Sequence, residues 1–204
     1  MNITRSCLVK NNTLLVDGRV MYTSASGEAT LFLTEVYRKF NIDYPKFFKM
    51  DSLSKLALLC AECLLEGKNS DQFPDLGNMS VILYNSASSI DTDIRFRRTM
   101  DSIPGPSLFV YTLPNVMIGE ICIKYKIYGE NYLFVTENFD PDYMVAHSLP
   151  VINNPDTEKA IMGYADFTNR EALGLFMLLE KDKPGTLFNR DHVTNLFHGK
   201  PGMW

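Results

Sequence analysis

Residues 51–66, DSLSKLALLCAECLLE, limit the possible folds more than any other stretch of this chain. Leu53, Leu56, Ala57, Leu58, Leu59, Cys60, Ala61, Leu64 and Leu65 recur at helical spacing and leave little polar face, so the helix they predict must be largely buried. Asp51 or Ser52 is placed to cap its first turn, and Gly67 to take the left-handed position after its last. A helix of this kind needs a sheet or other helices around it. Four apolar runs supply strands: VILY (81–84), YLFVT (132–136), KAIMGYADF (159–167) and LGLFMLLEK (173–181). Further strands are expected at ITRSCLVK (3–10), TLLVDG (13–18) and VMYTS (20–24), with turns at Asn11-Asn12 and Asp17-Gly18. Helical spacing returns at 28–40, 91–100, 104–127 and 140–149, the last with Asp140 as cap and Pro141 in first position. This alternation predicts an α/β fold with a mostly parallel five-stranded sheet flanked by helices, in one domain over residues 1–204.

Composition narrows the function classes. With 46% hydrophobic and 22% charged residues over 204 positions, the disordered, collagen-like and coiled-coil classes are excluded. A chain this long buries a core without needing disulfides or metal. A net charge of −4 argues against a general nucleic-acid binder. No window is apolar enough to span a membrane, and the first residues lack the apolar core of a signal peptide, so a cytoplasmic address with reduced thiols is expected. Cys60 and Cys63 form a C-x-x-C inside the apolar helix. A redox thiol belongs at a helix N-terminus, where the dipole lowers its pKa, and no second ligand pair completes a zinc site, so these two read as packing residues. Arg95, Arg97 and Arg98 fit a solvated helix face, with contact to a phosphate on a carrier or coenzyme as the alternative. No glycine-rich phosphate loop or G-x-S-x-G elbow occurs, and neither metal nor cofactor is implied.

Five pieces, in order over residues 45–182, resemble the amino-terminal half of a β-ketoacyl synthase, a condensing enzyme of the thiolase superfamily. They are KMDSLSKLALLCAECLL, ILYNSASSIDTD, PSLFVYTLPNVMIGEICIKYKIYGENYLFVTEN, AIMGYADF and EALGLFMLLEK. In the third piece Pro106, Phe109, Leu113, Pro114, Asn115, Gly119, Ile123, Gly129 and Asn131 fall on the family pattern. Residues 183–204 form a tail beyond the resemblance, expected to dock through Leu196, Phe197 and Trp204.

Where the family ends its nucleophile strand in Thr-Ala-Cys, this chain has Thr136, Glu137 and Asn138. An amide side chain is not a competent acyl acceptor near neutral pH, and Glu137 brings a carboxylate to a place that should favour a developing oxyanion. His147, His192 and His198 stand in no context matching the paired histidines that the family draws from a second, similar half. The resemblance therefore implies a truncated, non-catalytic homologue, like the chain-length factor that partners a ketosynthase in fatty-acid or polyketide-type synthesis. Subunits of the superfamily pair through the nucleophile strand, which implies a dimer interface at Asn131, Tyr132, Leu133, Phe134, Val135 and Thr136. The partner would be a second copy or a full-length ketosynthase, with an acyl carrier protein as a further partner. Two alternatives are an acyl-chain or carrier-binding module, and an enzyme of altered chemistry in which Glu137 and Asn138 act on a carbonyl or a water.

Overall fold

Ser80–Asn85 is buried at all six positions, as a strand covered on both faces must be. In the computed structural model, which describes residues 1–68, 71, 76–101, 105–168 and 171–200, this segment is β4. It pairs parallel with Asn131–Val135 (β5) on one side and Lys159–Thr168 (β6) on the other. The sheet continues through Glu171–Glu180 (β7), Asn2–Lys10 (β1), Thr13–Val16 (β2) and Arg19–Thr23 (β3), in the order β3-β2-β1-β7-β6-β4-β5, with Thr186–Leu187 (β8) also on β1.

The expected α/β class with flanking helices is present, but among the described residues the sheet has eight strands and is mixed. Among the described residues only the two pairs made by β4 are parallel. The reason is connection length. A parallel pair needs a crossover of a dozen or more residues, whereas β1, β2 and β3 are joined by tight turns and run antiparallel. Asn11 and Asn12 have φ of 51° each, and Asp17 and Gly18 have 49° and 74°, the positive pair that a two-residue hairpin turn demands. Strands β6 and β7 are likewise antiparallel; of the turn between them, 169 and 170 lie outside the described residues.

Helices Ala29–Lys39 (α1), Ser52–Leu65 (α2) and Val116–Tyr125 (α5) cover one face of the sheet, where Val81, Leu83, Ile161, Phe176 and Leu178 meet Leu56, Leu59 and Ile121. Helices Pro141–Ile152 (α6) and Arg190–Phe197 (α7) cover the other, where Ile82, Tyr84, Met162, Leu175 and Met177 meet Met144, Val193 and Leu196. Residues alternate between the two cores along each strand. A register shift between Ile3 and Arg5 lets odd-numbered Ile3 join the core that even-numbered Leu8 faces.

Helix α2 is buried as expected. Asp51 caps it, accepting from the Ser54 N–H at 2.9 Å, but Glu66 takes the left-handed position first, at φ 54°, with Gly67 following at 76°. Helix Ile90–Thr99 (α3) is tied to this start by Thr92, whose hydroxyl donates to Asp51 at 2.9 Å. The stretch expected to be helical from 104 divides into Pro106–Val110 (α4) and α5, separated by Leu113-Pro114. Lys126, at φ 55°, ends α5, not Gly129. Of the tail, Leu196 is buried and the Phe197 ring stacks on Phe139 at 3.7 Å; Trp204 lies outside the described residues. Among the described residues no helix is long and apolar enough to cross a membrane.

Candidate functional site

Parallel strands deliver their carboxyl ends to one edge of a sheet, and in open α/β sheets that edge is where sites form. Here β4, β5 and β6 end together. Strand β5 runs into Thr136, Glu137 and Asn138, and the chain then enters α6, whose first turn Asp140 caps by accepting from the Tyr143 N–H at 3.0 Å. Val135, Thr136, Glu137, Asn138, Asp140 and Tyr143 line an open depression of about 330 Å³. The Thr136 N–H donates to the Asn85 carbonyl at 2.9 Å, and its hydroxyl donates to the Asn138 carbonyl at 2.9 Å. Asn138 thus sits at a strand end on a folded-back turn, two residues ahead of the helix cap. Its amide offers a donor and an acceptor but no nucleophile. Glu137 and Asp140 make the depression acidic, which opposes a developing oxyanion.

Beside the depression lies a polar network that sequence reasoning missed. Asp166, near the end of β6, accepts at Oδ1 from Asn85 Nδ2, Ser86 N and Ala87 N, each at 2.9 Å. Its Oδ2 accepts from the Ser86 hydroxyl and, at 2.6 Å, from the Tyr164 hydroxyl. Five donors on one carboxylate tie the loop after β4 to β6. Asn85 also donates to the Ala165 carbonyl at 2.8 Å, while its own Oδ1 is buried without a hydrogen-bond partner among the described residues. Burial, and then the bond to Asp166, push the Tyr164 phenol up. A carboxylate so fully engaged is a clamp rather than a free base. The signal was present in the spacing of Tyr164 and Asp166, which puts both on one face of the strand end.

An aromatic group closes the other side. Tyr84 stacks on Phe134 at 5.0 Å, and Tyr143 stacks on His147 at 3.7 Å. The Tyr84 hydroxyl donates to the Met144 carbonyl at 3.1 Å, and burial pushes its pKa up to about 12. His147 is packed here and exposed. His192 bonds the Leu187 carbonyl at the start of α7, and His198 follows that helix, so the three histidines do not converge on Asn138.

The expected interface strand is at the edge of the sheet: among the described residues β5 pairs only with β4. Glu130 and Thr136 bond toward β4, Glu130 through its C=O and Thr136 through its N–H. Since the backbone groups of alternate strand residues point to alternate sides, Asn131, Leu133 and Val135 present their N–H and C=O to the open edge. Tyr132 is 40% and Val135 58% exposed, whereas Leu133 and Phe134 are half-buried in the chain's own cores.

The motif residues Leu113, Pro114, Asn115, Gly119 and Gly129 do not line the depression. Gly129 has a physical reason to be glycine: a Cβ there would lie 2.5 Å from the Met79 carbonyl oxygen. At Gly119 an added Cβ meets nothing within 4 Å. Cys60 is buried on α2 and Cys63 half-buried, in the same core as Cys7 of β1. The neighbouring Cys7 thiol and burial push Cys63 far above the usual thiol range. Among the described residues no group of three or more His, Cys, Asp or Glu is placed to hold a metal ion.

No protein-family model and no curated protein matches the chain. Solved structures do match in fold. The ishigamide ketosynthase/chain length factor superposes with a TM-score of 0.63 at 13% identity, over 89% of this chain and 62% of that one. A ketosynthase in complex with its chain length factor, from Xenorhabdus doucetiae, gives 0.60 at 10% identity, over 98% of this chain and 93% of that one. A type II PKS acyl-carrier protein in complex with its ketosynthase bound to the hexaketide gives 0.59 at 12%, over 88% and 62%. The chain therefore spans 62% of the length of the first and third structures. At these identities the likeness is one of fold.

Proposed function

We propose that this chain is a non-catalytic partner in a ketosynthase-like assembly for polyketide-type or fatty-acid acyl chains, joined to a full-length ketosynthase through β5. The observation that carries this reading is the open β5 edge, and the sequence resemblance, which sets Asn138 at the family's nucleophile position, supports it. An open edge strand with Tyr132 and Val135 in solvent is a template for another strand. A two-fold antiparallel pairing centred on Leu133 would satisfy the outward backbone groups of Asn131, Leu133 and Val135. The depression at Thr136, Glu137 and Asn138 would then face the partner's chemistry without contributing a nucleophile. An acyl carrier protein enters as the partner's substrate carrier.

The test is co-expression with a full-length ketosynthase, followed by size-exclusion chromatography with light scattering. A one-to-one complex is expected. Val135→Pro removes an outward N–H and leaves the β4 ladder intact, so it should abolish the complex without unfolding the chain. Ile123→Asp, at an exposed site on α5, serves as the control. Phe134 is the wrong probe, because its ring stacks on Tyr84 inside the chain. A homodimer that ignores the ketosynthase would refute the heteromeric role. A monomer in all conditions would refute the β5 interface. Turnover of acyl-carrier thioesters that Asn138→Ala abolishes would refute the non-catalytic reading.

A further inference from the structure

A second depression, of about 310 Å³, opens between the 3-10 helix Pro45–Lys49, α2, α3 and α4. Lys49, Lys55 and Arg95 line it together with the hydroxyl-bearing Ser107 and the carboxylate of Asp51. None of the three cations makes an ion pair among the described residues, while Lys46 beside them is paired with Glu120 at 2.7 Å. Asp51 offsets one of these three charges, its two oxygens also accepting from the Ser54 N–H and the Thr92 hydroxyl. Asp91 adds a second negative charge near Arg95, but it is buried at the start of α3, with Oδ1 lacking a hydrogen-bond partner among the described residues. In a chain of net charge −4, this is a local excess of positive charge in a concave site.

The crowding has a physical signature. Lys55 is only partly exposed, with its ammonium 5.5 Å from the Phe47 ring centroid. Burial, and then the nearby Arg95 guanidinium, pull its pKa down, against a smaller upward pull from Asp51. Like charges gathered on a partly dry surface are relieved by a bound anion, and a tetrahedral oxyanion matches one guanidinium fork and two point-charge ammoniums.

We propose that this depression binds a phosphate-class anion, free or esterified, held by Lys49, Lys55 and Arg95, with Ser107 as a neutral donor. The site stands apart from the β5 edge and does not rest on the partner role. Calorimetric and thermal-shift titrations with inorganic phosphate, glycerol 3-phosphate and diethyl phosphate, at ionic strength held constant with chloride, test it. Saturable binding of at least one of the three is expected. Arg95→Gln and Lys55→Met should each weaken it about tenfold, the loss of one charged hydrogen-bonding partner. Arg97→Gln, on the same helix but paired with Asp101, should leave it unchanged. Binding of free phosphate alone assigns the site to the inorganic ion; binding of the esters assigns it to a phosphorylated ligand. Arg95 is exposed, so its variant folds even if Lys55→Met does not. The proposal is overturned if none of the three anions binds saturably, or if Arg97→Gln weakens binding as much as Arg95→Gln.

Discussion

Replacing Asp166 with alanine removes the acceptor of five hydrogen bonds, but the five losses are unequal. Asn85 Nδ2 keeps the Ala165 carbonyl at 2.8 Å, and the Tyr164 hydroxyl keeps the Ser86 hydroxyl at 2.8 Å. The Ser86 hydroxyl can rotate to another acceptor. The N–H groups of Ser86 and Ala87 have no other acceptor among the described residues and cannot turn away. Two orphaned, partly buried amides cost about 1–3 kcal/mol each, so Asp166→Ala should destabilise the chain by roughly 3 kcal/mol after some water enters. Asp166→Asn keeps an oxygen for the amides and presents NH₂ to hydroxyls that can accept, so about 1 kcal/mol is expected. Urea unfolding at neutral pH, with the slope checked for two-state behaviour, reads both. Equal losses in the two variants, or a loss below about 1 kcal/mol for alanine, would show that the amides are not held by this carboxylate.

Gly129→Ala forces a Cβ to 2.5 Å from a backbone carbonyl that cannot swing aside, so a loss of about 2–4 kcal/mol is expected in the same assay, against near neutrality for Gly119→Ala. Burial pushes the Cys122 thiol up to about 11, from 9.0, so its thiolate fraction at neutral pH falls about a hundredfold; stopped-flow reaction with Ellman's reagent should be correspondingly slow in the native chain and normal in urea. Glu180 is pushed up by burial, but the bonds from Lys183 and Thr4 and the charges of Lys183 and Lys159 outweigh this and lower its pKa overall. Its stabilising contribution is therefore present above the ordinary glutamate range and is lost as pH falls through the lowered value. Glu180→Gln should flatten the acid limb of a stability-against-pH profile and cost stability at neutral pH.

Much of the fold was legible because it rests on local periodicity. The burial of α2, the strands at 81–84 and 132–136, and the Asp140 cap follow from apolar spacing and turn chemistry within a few residues. The direction of the strands was less legible. A mostly parallel sheet was expected, yet the short β1–β2–β3 connections and the β6–β7 pair make it mixed, and pairing partners distant in sequence leave no local trace. The candidate site was half legible. Counting along the chain placed Thr136, Glu137 and Asn138 at a strand end, and they do line one depression. The Asp166 network joins residues some eighty positions apart, and no window of sequence contains it.

By itself, then, the sequence determined most of the helices and strands and which of their faces are apolar. Tertiary structure alone decided that β5 is an edge, and that Lys49, Lys55 and Arg95 meet in one hollow. The division has a physical cause. Backbone conformation and amphipathicity are set by neighbours a few residues away, whereas an open edge or a shared pocket depends on which distant segments happen to pack beside it.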